Sequence, residues 1–220
     1  MFALAAHELY RFFHAGEDEI FALRGVSIMQ LAGEFVAIMG PSGSGKSTLL
    51  SCITGLDEPD GGHVVVAGKR ITRRPEAERA RIRATQFGIL LQSGNLFTHL
   101  NVEQNVRFPL LLARKSDPGR VDFLLETVGL RHRRHALVTE LSGGEQARAA
   151  LAVALVVDPP ILVADEPTAE VDRDTESRLI DHFEARRRSG LTTLLATHST
   201  AVAQSSDRIV NLHDGKIVDD

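Results

Sequence analysis

Cysteine is nearly absent from this chain: Cys52 is the only one among 220 residues. Without a second thiol no internal disulfide framework can form, and a reducing compartment is the expectation. Cys52 sits within a helical apolar pattern, which marks it as a small packed side chain rather than a reactive thiol. Long hydrophobic runs are also missing, and none approaches the roughly twenty residues that cross a bilayer. The start, Met1-Phe2-Ala3-Leu4-Ala5-Ala6, has no basic segment and is interrupted at once by His7 and Glu8. It does not read as a secretory leader, so a soluble, cytoplasmic chain is expected. Excess positive charge is lacking too. With 25 basic and 29 acidic residues the net charge is −4, which argues against a nucleic-acid partner. Repeats, low-complexity linkers and coiled-coil heptads are absent, and the histidines other than His198 show no metal-ligand spacing with acids or cysteine.

What is present suits one α/β domain. The apolar fraction is 43%, enough for a sizeable core, and 25% charged residues wet the surface. The first thirty-odd residues alternate around a turn at Ala15-Gly16-Glu17-Asp18, predicting an antiparallel strand pair. Glu34–Met39 reads as a strand, Asp57–Gly62 as a turn cluster, Val64–Lys69 as a strand and turn, and Pro75–Arg83 as a short helix. Phe87–Gln92 is a buried strand. From Ser93 to about Glu140 the β signals stop, with helical periodicity over Val102–Arg114 and Val121–Val128 broken at Asp117-Pro118-Gly119. A helix over Gln146–Val157, a strand at Ile161–Ala164, a helix over Thr175–Arg188 and a strand at Thr192–Thr197 come next. The tail from Arg208 to Val218 is a hairpin turning at Asp214-Gly215. The basic runs Arg131–His135 and Arg186-Arg187-Arg188 read as solvated helix ends.

The chain is organised around Gly40-Pro41-Ser42-Gly43-Ser44-Gly45-Lys46-Ser47, between an apolar strand and a helix beginning near Thr48. This strand, glycine turn and helix start is the context that the phosphate-loop pattern requires. Glycines let successive N–H groups point inward at phosphate oxygens, and the helix N-terminus adds its positive end. Lys46 reaches the β- and γ-phosphates in such a loop, and the Ser47 hydroxyl ligates Mg²⁺.

Two further constellations carry chemistry. Ile161-Leu162-Val163-Ala164-Asp165-Glu166 sets adjacent carboxylates at the end of a buried strand. Asp165 fits the metal shell of a phosphate-loop enzyme, and Glu166 can polarise a water at the γ-phosphate. Leu141-Ser142-Gly143-Gly144-Glu145 opens an apolar helix and offers a second anion site, or simply a serine N-cap. One nucleotide does not need two such helix starts from the same subunit. A dimer in which each copy supplies one to the other's nucleotide resolves the surplus.

Gly40–Ser47, Gln92, Leu141–Glu145, Ile161–Glu166, Asp172 and His198 together resemble, in order and spacing, the motifs of ATP-binding-cassette ATPases: Walker A, Q-loop, signature, Walker B, D-loop and switch histidine. The resemblance covers nearly the whole chain. Asn101-Val102-Glu103-Gln104-Asn105-Val106 and Asp165-Glu166-Pro167-Thr168 look most like the macrolide-exporter and lipoprotein-release branch. It implies an α/β phosphate-loop NTPase core of the RecA-like kind, over 1–92 and 157–220, with an antiparallel β subdomain and an inserted α-helical subdomain over 93–156. It further implies ATP and Mg²⁺, and a head-to-tail homodimer around two nucleotides. Gly40, Pro41, Ser42, Gly43, Ser44, Gly45, Lys46, Ser47 and Thr48 would cradle the phosphates, and Ser47, Gln92 and Asp165 would surround the metal. Glu166 would act as base or water-orienting group, with His198 on the γ-phosphate. Ser142, Gly143, Gly144 and Glu145 would close over the partner's nucleotide near Asp172. An aromatic of the first strand would stack on adenine, Phe13 by its spacing, with Tyr10 and Phe12 as neighbouring alternatives.

Some positions depart from the family pattern. Glu170 places an acid in the D-loop, and Ala147 and Val153 stand where a glutamine and an arginine are common. The reacting groups are all present, so an active ATPase is expected. The family's membrane partner docks beside the insertion near Leu96–Ala113, which places the chain on the inner face of the membrane with a separate permease. A periplasmic or extracellular accessory component is compatible with this. An alternative is an ATPase that transmits force without moving a solute, of the cell-division type. DNA-repair or translation-linked relatives would need a long coiled-coil insertion or two cassettes, and neither is in the sequence.

Overall fold

The alternating start of the chain forms two long strands. In the computed structural model, which describes residues 1–15, 18–91, 95–169 and 171–218, β1 (Phe2–Ala15) and β2 (Asp18–Leu31) pair antiparallel, Phe13 opposite Ile20. The expected turn residues Gly16 and Glu17, and the sequence-predicted Gln92 and Glu170, lie outside the described residues. β3 (Phe35–Met39) leads into α1 (Lys46–Ile53). β4 (Gly61–Val66) pairs with β1 and with β5 (Lys69–Arg70), giving an antiparallel sheet in the order β2-β1-β4-β5. The expected turn at Asp57–Gly62 is thus shorter, because both glycines already belong to β4.

α2 (Glu76–Gln86) opens with acids and ends with Arg83, which matches the sign of the helix dipole at each end. β6 (Phe87–Leu90) comes next, then three helices: α3 (Val102–Leu112), α4 (Pro118–Thr127) and α5 (Gly143–Leu155). The helical break expected at Asp117-Pro118-Gly119 is present between α3 and α4, over 113–117, and Asp117-Pro118-Gly119 itself starts the second helix. The Asp117 carboxylate accepts the Arg120 N–H at 2.9 Å and Pro118 occupies the first turn, where its missing N–H costs nothing. β7 (Ile161–Asp165), α6 (Arg173–Arg188), β8 (Thr192–Ala196), α7 (Thr200–Gln204), β9 (Arg208–His213) and β10 (Lys216–Val218) complete the chain. The second sheet runs β10-β9-β3-β8-β7-β6; the five strands from β9 to β6 are parallel, and β10 closes the tail hairpin as an antiparallel edge.

Both faces of the parallel sheet are buried along β3, β7 and β8, which is why β3 and most of β7 read as continuous apolar runs. On one face, Leu49, Leu50, Cys52 and Ile53 of α1 pack between Ile38, Val163 and Leu194 of that sheet and Leu4, Leu9 and Leu23 of the antiparallel one. Each fully buried Leu or Ile there stabilises the fold by about 1.5–3 kcal/mol, so the helix behind the glycine loop is held from two sides. On the other face, α3, α4, α5 and α6 share a core with Phe35, whose ring meets Phe183 edge-on at 5.9 Å.

The basic runs are largely solvated, as their sequence suggests, with Arg131, His135 and Arg188 exposed, but Arg186 departs from that reading. The Arg186 side chain is 2% exposed; it donates to the carbonyl of Pro159 at 2.9 Å and pairs with Asp158 at 3.4 Å. Asp158 also pairs with Arg120 of α4 at 3.0 Å, joining two helices. Arg134 pairs with Glu103 and Asp122 at 3.0 and 3.1 Å. Among the described residues no helix is long and apolar enough to cross a membrane.

Candidate functional site

The loop between β3 and α1 wraps a backbone cradle. Ser44 N–H donates to Pro41 C=O at 3.2 Å, and α1 begins at Lys46 with Gly45 as a left-handed N-cap at φ 102°. No side chain caps that helix start, so its first-turn N–H groups are left for an anion. Only glycine fits at 45: a Cβ there would lie 2.3 Å from the carbonyl oxygen of Ala22 on β2. The Lys46 side chain is largely buried; its ammonium donates to the carbonyls of Gly40 and Pro41 at 2.7 and 3.1 Å. It also stands 3.5 Å from His198 Nε2.

β7 delivers the carboxylates. Asp165 is 5% exposed; its backbone pairs with Ala196 in the sheet, and its carboxylate has no hydrogen-bond or ion-pair partner among the described residues. A nearly buried, unpaired carboxylate is costly unless a cation meets it, and with the Ser47 hydroxyl it forms a hard oxygen donor set suited to Mg²⁺. Glu166 breaks out of the strand at φ 50°, its N–H donating to Ala196 C=O at 3.0 Å. Its carboxylate accepts the His198 N–H at 3.2 Å and sits 3.2 Å from His198 Nε2. His198 arrives from β8 through Thr197, whose N–H donates to Ile38 C=O at 3.0 Å. Parallel pairing of β3, β8 and β7 therefore places Lys46, His198 and Glu166 side by side.

These groups line one cleft of about 840 Å³ that also holds Ser42, Gly43, Ser44, Gly45, Ser47 and Thr48. Its far wall is apolar: Phe13, exposed by 40%, with Ile20 and Phe21 from the paired strand. Of the three aromatics weighed from the sequence, only Phe13 lines this cleft. The Tyr10 ring packs toward Gly25 and Gly61, and the Phe12 ring meets Phe21 and His14 at 6.0 and 5.9 Å. Sequence reasoning did not find Ile20, Phe21, Thr168, Ala169 or Ser199 as lining residues. Cross-strand register would have named Ile20, since it sits opposite Phe13.

The second helix start lies outside the phosphate-loop cleft, beside an adjoining pocket that Gly143 lines with Asp165 and Glu166. Ser142 N-caps α5, its Oγ accepting the Glu145 N–H at 3.3 Å while the Glu145 carboxylate accepts the Ser142 N–H at 2.9 Å. Arg133 Nε lies 3.3 Å from the same carboxylate. The Ser142 backbone hydrogen bond holds the Glu145 carboxyl below its usual range. The serine N-cap is what the structure shows, and the accepting hydroxyl still has a proton to donate. None of Ser142, Gly143, Gly144 and Glu145 lines the phosphate-loop cleft of the same chain. Asp172 likewise N-caps α6, accepting the Thr175 N–H at 2.8 Å; that backbone bond lowers its pKa. Glu145 and Asp172 are thus engaged in caps, not aimed into the cleft.

A parallel sheet with a glycine loop before a helix, an acidic pair at the end of a neighbouring strand and a histidine at the next defines a phosphate-loop nucleoside-triphosphate hydrolase. Comparison with known proteins narrows this. The ABC transporter family profile matches residues 23–169. The lipoprotein-releasing system ATP-binding protein LolD of Acinetobacter baylyi is 38% identical, over 98% of this chain and 97% of that protein. The macrolide export ATP-binding/permease protein MacB of Chlorobium luteolum is 39% identical, over 97% of this chain and 32% of that longer protein. Among solved structures, the dimeric post-hydrolysis ATP-binding cassette MJ0796 bound to ADP and Pi superposes with a TM-score of 0.92 at 33% identity, covering 98% of this chain and 97% of that one. The chain belongs to the ABC transporter family, as an ATP-binding, ATP-hydrolysing cassette.

Proposed function

We propose that this chain powers an export or lipoprotein-release type transporter from the cytoplasmic face of the membrane, paired with itself and docked on a separate permease. The observation that carries this is a division within the site. Lys46, Asp165, Glu166 and His198 line one cleft, while the exposed Ser142 and Gly143 are not part of its lining, Gly143 lining instead a neighbouring pocket that shares Asp165 and Glu166. A second copy placed head to tail supplies its Ser142, Gly143 and Gly144 to the γ-phosphate held by the first. The relatives named for macrolide export and lipoprotein release favour transport over a purely force-transmitting role.

In this reading the backbone of Gly40–Ser47 and Thr48 binds the phosphates, and the Lys46 ammonium exchanges the carbonyls of Gly40 and Pro41 for β- and γ-oxygens. Ser47, Asp165 and Gln92 would hold Mg²⁺, which supplies neutralisation of the phosphate charge. Glu166 orients the attacking water and takes up its proton, and His198 braces that carboxylate through its N–H. Phe13 stacks on the base. Because half of the donors come from the partner, hydrolysis is coupled to closure, and closure moves the helical block beside which a permease docks. There Asn105 fastens the preceding loop to α3, donating to the carbonyls of Phe97, Leu100 and Asn101 at 3.0–3.1 Å. Affinity purification from detergent-solubilised membranes tests the assignment. A stoichiometric polytopic membrane protein whose presence stimulates ATP turnover is the expected result; recovery of the chain alone, from the soluble fraction only, would overturn it.

A further inference from the structure

The cleft's base-stacking wall has a buttress that the motif does not include. Arg11, two residues before Phe13, lays its guanidinium over that ring with 4.6 Å between Cζ and the ring centroid. The same guanidinium is gripped from beyond α1: Nε and Nη2 donate to the two oxygens of Asp57, both at 3.0 Å, and Nη1 donates to Asp60 at 3.1 Å. The Asp60 carboxylate also accepts the Phe12 N–H at 3.0 Å, and the Asp60 N–H donates to Tyr10 C=O at 2.9 Å. Asp57 N–H in turn donates to Ser51 C=O in α1 at 3.1 Å. Hydrogen bonds therefore join the phosphate-loop helix to Arg11, and the stacking of its guanidinium on Phe13 extends the link to the aromatic on β1.

We propose that Arg11 is a positioning residue for purine nucleotide binding: clamped by Asp57 and Asp60, it covers one face of Phe13 and presents the other to the base in the phosphate cleft. This rests on the reading of Phe13 as the base-stacking residue. The planar fork suits the task, since it can pair with two carboxylates in its plane while stacking on an aromatic face. A ring exposed by 40% on a strand edge otherwise has rotamer freedom to lose when a base arrives. Arg11 removes that freedom beforehand, and it ties the height of the base to the loop that holds the phosphates.

Calorimetric titration of the full-length chain with Mg-ATP, and separately with inorganic tripolyphosphate, tests this in Phe13→Leu, Arg11→Met, Arg11→Lys and the Phe13→Leu/Arg11→Met double variant. Phe13→Leu is expected to weaken ATP about tenfold or more, and Arg11→Met about three- to tenfold. The double variant should bind no worse than Phe13→Leu alone, Arg11→Lys should recover part of the loss, and tripolyphosphate affinity should stay within about twofold throughout. Additive losses, or an Arg11→Met effect equal for ATP and tripolyphosphate, would show that Arg11 acts through the general fold and would overturn the proposal. A silent Arg11→Met beside a costly Phe13→Leu would refute the positioning role alone; a silent Phe13→Leu would refute the stacking reading and the proposal with it. If Arg11→Met does not fold, Asp60→Asn, which loosens the same clamp, carries the same expectations.

Discussion

Replacing Gly45 by alanine probes the cradle on which every other part of the site depends. The new Cβ would stand 2.3 Å from the carbonyl oxygen of Ala22, about 1 Å inside ordinary contact, at a φ of 102° that L-residues rarely adopt. Ala22 belongs to β2, whose neighbours Phe21 and Leu23 pair with Phe12 and Arg11 of β1, so the strand is held on both sides of it and the loop must move instead. Backbone strain of about 1–3 kcal/mol adds to an overpacking cost of about 1–3 kcal/mol. Gly43 is the built-in control: φ is 81°, but a Cβ there meets nothing within 4 Å, so Gly43→Ala should cost only about 1–2 kcal/mol. Urea denaturation at fixed pH should therefore separate the two variants by about 2–3 kcal/mol. A loop displaced by about 1 Å should also weaken Mg-ATP binding of Gly45→Ala by about a hundredfold. Equal stabilities for the two alanine variants, or near-normal ATP affinity in Gly45→Ala, would refute the claim that the cradle's fit against β2 sets the site.

Buried titratable groups and the acidic pair give three more expected outcomes. Burial, with Arg186 and Arg120 nearby, lowers His182 to about 4 from 6.5. The unfolded chain takes up a proton between those values that the fold refuses, so stability should fall by about 3 kcal/mol as pH drops from about 6.5 to 4, and in His182→Gln that part of the acid limb should flatten in pH-dependent denaturation. Burial also pushes the Cys52 thiol up to about 12; a neutral-pH thiol reagent should modify it only at the rate of unfolding, and rapid native-state labelling would contradict its place in the core. Glu166→Gln should lower ATP turnover by about a hundredfold or more while leaving Mg-ATP affinity within a few-fold, measured by phosphate release and calorimetry.

The parts of this molecule most legible in its sequence are those where local chemistry and tertiary placement agree. Glycines between an apolar strand and a helix announce the cradle, and a carboxylate pair ending the run Ile161–Ala164 announces the neighbouring strand's tip. The features that stayed hidden depend on partners far along the chain. Arg186 ends a helix in a run of three arginines, yet it is buried because Asp158 and the carbonyl of Pro159 wait beneath it. The break before α4 is legible, but that Asp117-Pro118-Gly119 starts the helix shows only once the Asp117 carboxylate is seen capping it. α7 is too short for its periodicity to register. Ile20 and Phe21 join the cleft only through their register with β1, and the Arg11 clamp spans 46 to 49 positions of sequence. In each case a contact, not a propensity, decides the outcome.

Light scattering coupled to size-exclusion chromatography on Glu166→Gln, with and without Mg-ATP, bears most directly on the central claim. Two copies that each lend Ser142, Gly143 and Gly144 to the other's nucleotide should elute as a dimer in ATP and as monomers without it. A variant that binds ATP yet stays monomeric, even beside its membrane companion, would contradict the shared site.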